Sequence, residues 1–261
     1  MIEAVTFSNW PYPRLCAHRG AGRLAPENTL AALRVGAAHG YRMFEFDVKL
    51  SGDGTLILMH DPTLERTTSG RGRVSARALG DLMKLDAGAW HSPAYAGEGI
   101  PTLWRVGGWL LANDHRVNIE IKPCPGTDAP TGAAVALEAD LLWGPDKVPP
   151  LLSSFSETAL AAARDTRPRL PRALLLDRLP ADWLARCRAL DVVAVDVDHR
   201  LLTAELIGEA HAAGLRVASY TINDPARARE LLAWGLDVLI TDAVDRIAPD
   251  AGDARAPAGA R

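Results

Sequence analysis

Residues Phe44–Asp61 read FEFDVKLSGDGTLILMHD, two short β-rich runs around a turn. Glu45 and Asp47 stand two apart in the first run, so a strand there points both carboxyls to one face. The second run ends on His60 and Asp61. The link SGDG carries Asp53-Gly54, a hairpin-turn signal. Parallel neighbours cannot be joined by so short a connection, so the second run is expected to return antiparallel. A turn near Gly52-Asp53 then brings His60 back to about the level of Glu45.

With RLCAHRG, VNIEIK, PPLLSSF, RALLLD, VVAVDVD, RVASYTI and DVLITD, these make nine β-rich runs. Between most of them lie stretches with helical periodicity, among them TLAALRVGAAHG, ETALAAARDT, LPADWLARCRAL, TAELIGEAHAAG and DPARARELLAWG. Gly40, Gly214 and Gly235 stand where three of these helices would end. Strands that read as continuous apolar runs, alternating with helices, predict a parallel sheet covered by helices. Setting aside the hairpin return leaves eight strands, the number a TIM (β/α)8 barrel needs. From Pro62 to about Thr102 glycine, serine and charged residues dominate, with one short helical candidate at Ala76–Leu85. That segment is expected to be an insertion after the second strand's hairpin, lying over one face of the site. Residues 1–250 are expected to form the barrel domain, and 251–261, rich in Ala, Pro, Gly and Asp, a disordered tail.

The chain has 261 residues, a length at which single α/β barrels are common. A net charge of −3 argues against a nucleic-acid binder that works by phosphate neutralisation. No basic run precedes an apolar stretch at the amino terminus, and no segment is apolar for long enough to span a membrane. Cys16, Cys124 and Cys187 are too few and too far apart for a disulfide framework or a zinc knuckle. A reduced, cytoplasmic location is the expectation. Trp90, Trp104, Trp109, Trp143, Trp183 and Trp234 are not interleaved with basic residues and are expected to pack rather than stack on bases.

Three strand ends carry the chemistry. CAHRG supplies His18 and Arg19, FEFDV supplies Glu45 and Asp47, and NIEIK supplies Glu120 and Lys122. Three carboxylates inside a barrel are costly unless something positive holds them. One solution is internal ion pairing with Arg19 and Lys122, though buried pairs stabilise weakly. The other is a hard divalent cation, Mg²⁺ or Ca²⁺, for which carboxylate oxygens are the preferred ligands. A metal with Arg19 and Lys122 beside it makes a receptor for an anion such as phosphate. His18 and His60 at the same rim can accept and donate a proton near neutral pH. The set points to metal-assisted phosphoryl transfer. His39, His91, His115, His199 and His211 are expected to be structural or exposed. In PENT, Pro26–Thr29, either Asn28 or Thr29 can cap the helix that follows.

The segments AHRGAGRLAPENTLAAL, FEFDVKLSGDGTLILMHDPTLERTTSGRG, GEGIPTL, NIEIKP, LLSSF, YTIND and GLDVLITDAVD run in order from about residue 15 to 248. In them the chain resembles the glycerophosphodiester phosphodiesterase family, and most of all its cytosolic bacterial members associated with glycerol-3-phosphate uptake. The resemblance implies a TIM barrel with an insertion after the His-Asp pair. It implies metal binding by Glu45, Asp47 and Glu120, acid–base catalysis by His18 and His60, and phosphate contacts from Arg19 and Lys122. It implies glycerophosphodiester substrates and, as products, sn-glycerol 3-phosphate and an alcohol. Tyr220 stands where many relatives have Trp, and Trp104 where an acidic residue is common. Tyr220, and with it Phe155, would offer an apolar wall to the organic part of the substrate.

Overall fold

The computed structural model describes residue 6 and residues 8–249. The tail at 251–261 lies outside the described residues. Among these, nine strands form one sheet: β1 (Leu15–Ala17), β2 (Met43–Leu50), β3 (Leu56–Leu58), β4 (Arg116–Ile121), β5 (Leu151–Ser154), β6 (Arg172–Leu176), β7 (Ala194–Asp198), β8 (Arg216–Tyr220) and β9 (Val238–Thr241). All except β3 run parallel, and β1 pairs with both β9 and β2, which closes a barrel of eight strands. The fold is a TIM barrel. β3 is the antiparallel return of the hairpin on β2, as its short link requires. Val48 pairs with Leu58, which sets His60 opposite Phe46 rather than Glu45, one residue from the expected level.

The helices are α1 (Leu30–Ala38), α2 (Leu79–Leu82), α3 (Leu103–Ala112), α4 (Asp128–Trp143), α5 (Glu157–Thr166), α6 (Trp183–Ala189), α7 (Ala204–Ala212) and α8 (Pro225–Ala233). Hydroxyl side chains of Thr29, Thr102, Ser156 and Thr203 cap α1, α3, α5 and α7 by accepting from backbone N–H groups. Gly40, Gly214 and Gly235 follow α1, α7 and α8 with φ of 88°, 79° and 102°. Two helices, α3 and α4, were not legible as periodic segments. α3 carries the pair Gly107-Gly108, and α4 has Pro130 and Gly132 near its start. Gly132 is needed there, since a Cβ would stand 2.1 Å from the Ala159 carbonyl oxygen of α5.

The strands are less uniform than their apolar appearance in sequence. In β2, Phe44, Phe46 and Val48 belong to the core between sheet and helices, whereas Met43 belongs to a second core inside the barrel. β4 and β7 alternate likewise, turning Val117, Ile119, Val195 and Val197 outward. Near the amino-terminal ends of the strands the lumen is small and apolar, filled by Met43, Leu151, Ala173, Ala194, Ala218 and Val238. Tyr12 closes it from below, its hydroxyl donating to the Pro149 carbonyl at 2.9 Å. Two residues further along, β2, β5 and β7 turn the lumen polar with Glu45, Ser153 and Asp196, while β6 and β9 keep it apolar there with Leu175 and Ile240.

The connection from β3 to α3 has its own core of Ile57, Met59, Leu64, Val74, Leu82 and Ile100. Instead of one helix at Ala76–Leu85 it holds a 3-10 turn, Val74–Ala76, and the short α2. Trp90 and Trp104 are 41% and 59% exposed and do not pack as expected.

Candidate active site

Every sequence-predicted site residue lies at the carboxyl ends of the strands, the end at which TIM barrels carry their sites. A cavity of about 260 Å³ opens there, walled by His18, Arg19, Glu45, His60, Glu120 and Lys122. Phe155 and Tyr220 stand on its far side, edge to face at 5.9 Å, with the Lys122 ammonium 5.3 Å from the Phe155 ring. Asp47 lies behind Arg19 and Lys122.

The loop after β1 sets the first half of the site. Gly22 takes φ of 55°, and a Cβ there would fall 2.2 Å from the Asp242 backbone. That contact brings Asp242, just past β9, to His18, with 2.6 Å between Nδ1 and Oδ1. Arg19 and Asn28 also adopt positive φ, 50° and 60°, an uncommon conformation for such side chains. In this pose the Arg19 N–H donates to Glu45 Oε2 at 3.0 Å and its guanidinium to Glu27 at 2.8 Å. The Asn28 amide donates to Asp47 Oδ2 at 2.9 Å while its carbonyl accepts the Asp47 N–H at 3.1 Å. Thr29, not Asn28, caps α1.

The hairpin sets the second half. Lys49 is buried in β2 and donates to the His60 carbonyl at 2.7 Å. His60 Nδ1 lies 2.7 Å from Asp61, and Arg66 holds Asp61 with two nitrogens, at 2.6 and 3.0 Å. The same guanidinium reaches Glu27 at 2.7 and 2.8 Å, tying the insertion to the loop after β1. Each histidine thus has a carboxylate on Nδ1, a pairing that leaves Nε2 for the cavity.

Glu45, Asp47 and Glu120 present oxygens within 4.8 Å of one another, a cluster able to hold a metal ion. Glu120 accepts from Lys122 at 2.6 Å, and Asp47 has Arg19 at 3.4 Å and Lys122 at 3.5 Å. Part of the ion pairing allowed by the sequence is therefore present. It does not balance the acids. Glu45 Oε1 and Asp47 Oδ1 are buried without a hydrogen-bond partner. Burial, with Asp47 adding repulsion, pushes Glu45 well above the usual carboxylate range and Glu120 up to about 7. Burial alone would raise Asp47 too, but Arg19 and Lys122 hold it low. Two acids poised to lose their charge mark a site short of positive charge. Cys16 sits inside the barrel near Glu45 but does not join the cluster.

Residues 18–246 match the glycerophosphoryl diester phosphodiesterase family. The chain belongs to that family. It is an enzyme of that kind, a phosphoric diester hydrolase. A glycerophosphodiester phosphodiesterase of Caldanaerobacter subterraneus subsp. tengcongensis is 32% identical over 231 residues, covering 87% of this chain and 92% of that protein. One from Bacillus subtilis is 31% identical over 247 residues, covering 88% and 83%. An Oleispira antarctica phosphodiesterase solved with the product sn-glycerol-3-phosphate superposes with a TM-score of 0.88 at 35% identity, covering 93% of this chain and 98% of that one.

Several site residues were not singled out from sequence. Asp242 lies in the quoted segment GLDVLITDAVD, yet nothing local pairs it with His18, 224 positions away. In sequence Asn28 is a cap candidate and nothing more. Asn118, Ser153 and Asp196 read as ordinary strand residues, and only barrel closure turns them into the cavity.

Proposed function

We propose that this protein hydrolyses glycerophosphodiesters to sn-glycerol 3-phosphate and an alcohol, with a divalent cation, Mg²⁺ or Ca²⁺, held by Glu45, Asp47 and Glu120. The observation that carries the proposal is that cluster, with buried oxygens left unpaired beside two cations and two carboxylate-paired histidines. The product held by the Oleispira antarctica relative supports the substrate class. When bound, the ion would polarise a phosphoryl oxygen.

The chain's own groups do the remainder. Arg19 and Lys122 neutralise charge that grows on the phosphate oxygens. Burial lowers the His60 imidazole below its ordinary value, keeping Nε2 free to take the proton of the attacking hydroxyl. That hydroxyl is either water, which gives glycerol 3-phosphate directly, or the glycerol 2-hydroxyl, which gives a cyclic phosphate that water then opens to the same product. His18, fixed by Asp242, gives its proton to the leaving alkoxide as the ester P–O bond breaks. Phe155 and Tyr220 form the wall for the alcohol. Three buried free cysteines accord with a reduced, cytoplasmic location, as in family members linked to glycerol-3-phosphate uptake. Among the described residues no helix is long and apolar enough to cross a membrane.

The test is enzymatic release of glycerol 3-phosphate from a panel of glycerophosphodiesters, in EDTA and after Mg²⁺ or Ca²⁺ is restored. Release that stops in EDTA and returns with the ion is expected. No metal-dependent release from any panel member refutes the proposal.

A further inference from the structure

Below the acidic cluster the cavity ends on a floor that the proposed chemistry does not use. Asn118, Ser153 and Asp196, from β4, β5 and β7, line it at 2%, 0% and 1% exposure. Asn118 Oδ1, Ser153 Oγ and both Asp196 oxygens are buried and lack a hydrogen-bond partner. Leaving such atoms unpaired forfeits the hydrogen bonds they would make in water, so a floor of this kind needs something to bind. Help cannot come from beneath, where Ala173, Ala194, Ala218 and Val238 close the lumen. Nor does a cation serve Asp196, for the nearby positive groups are engaged by Glu27, Asp47 and Glu120. Donors can arrive only through the mouth.

We infer that Asn118, Ser153 and Asp196 form a hydroxyl-recognition subsite that takes the terminal hydroxyl of the glycerol moiety. A hydroxyl gives one proton and accepts another, which matches a carboxyl beside a serine hydroxyl and a side-chain amide. The inference rests on the glycerophosphodiester assignment and adds which end of the diester points inward. With phosphate at Arg19 and Lys122 near the mouth, the diester end that enters the closed floor must be short and constant. Glycerol is that end. The alcohol varies within the substrate class and has room outside, in an open groove of about 630 Å³ that meets the cavity at Phe155 and Leu175.

The test compares kcat/KM for glycerophosphocholine with that for its analogue built on propane-1,2-diol, which lacks only the terminal hydroxyl. With metal present, the wild type should favour the glycerol diester on the order of 10- to 100-fold. Asp196→Ala should bring the ratio near one, and Asp196→Asn should keep part of it. Each ratio is internal to one sample, so partial misfolding lowers both rates and leaves it unchanged. If Asp196→Ala does not fold, Ser153→Ala carries the same expectation of a reduced ratio. An undiminished ratio in an active variant overturns the subsite and leaves the phosphodiesterase assignment standing. So does a selective loss on glycerophosphoethanolamine, which would mean the floor takes an ammonium group. No turnover of either diester by the metal-loaded wild type overturns the assignment and the subsite together.

Discussion

His18 and His60 reach the cavity from different strands, yet each is held the same way, by a carboxylate on Nδ1. A paired carboxylate fixes the tautomer, so in the proposed reaction the proton would move at Nε2. Replacing either histidine with alanine is expected to lower kcat by on the order of 10²–10⁴ with the melting temperature little changed. Steady-state rates at saturating metal check this, and near-native turnover in both variants contradicts it. The histidines were legible because they flank runs whose strand character is plain in sequence. Asp242 was not, since its role depends on β9 closing against β1. Asn28 was half legible: PENT signals a helix start, but the hydroxyl of Thr29 suffices for the cap, which frees the Asn28 amide for Asp47.

At the level of elements, two short loops carry the geometry. The hairpin was readable from Asp53-Gly54, because turn chemistry is local. Its register was missed by one residue: the turn spans Ser51 to Thr55, with the Ser51 N–H donating to the Thr55 carbonyl. The loop after β1 depends on Gly22, whose missing side chain lets Asp242 approach. Gly22→Ala should destabilise the protein by ~2 kcal/mol or more, since a Cβ meets fixed backbone at an unfavourable φ. Denaturant unfolding measures the loss, and a variant as stable as the wild type would show that the approach is not tight. α3 and α4 lack a readable pattern because Gly107 and Gly132 serve close packing against α4 and α5, which no local pattern announces.

Across the whole molecule the acidic cluster ties function to stability. Glu120 titrates near 7 in the folded, metal-free chain, against 4.5 for an ordinary glutamate, and Glu45 is raised as well. Between those pH values the folded form holds protons that the unfolded form has released. Stability from Glu120 is therefore present below about pH 4.5 and is lost as pH rises through about 7, and raised Glu45 acts in the same sense. His60, His115 and His199, all lowered by burial, act in the opposite sense. The ion-dependent increment isolates the cluster. Mg²⁺ or Ca²⁺ should raise the melting temperature more at pH 8 than at pH 5, because protons compete with the ion for the same carboxylates. Equal increments at both pH values in scanning calorimetry would contradict the balance described. The eight barrel strands were countable from the sequence, and so were five of the helices between them, α1 and α5 to α8. The polar floor was not, because a residue inside a closed barrel looks in sequence like any other strand residue.

The most direct measurement is a calorimetric titration of Mg²⁺ and Ca²⁺ into the EDTA-stripped protein and its Asp47→Asn variant. One ion should bind per wild-type chain, with binding lost or greatly weakened in the variant. A wild type that takes up no ion, or an Asp47→Asn protein that binds it undiminished, would contradict the claim that these acids gather around a shared cation.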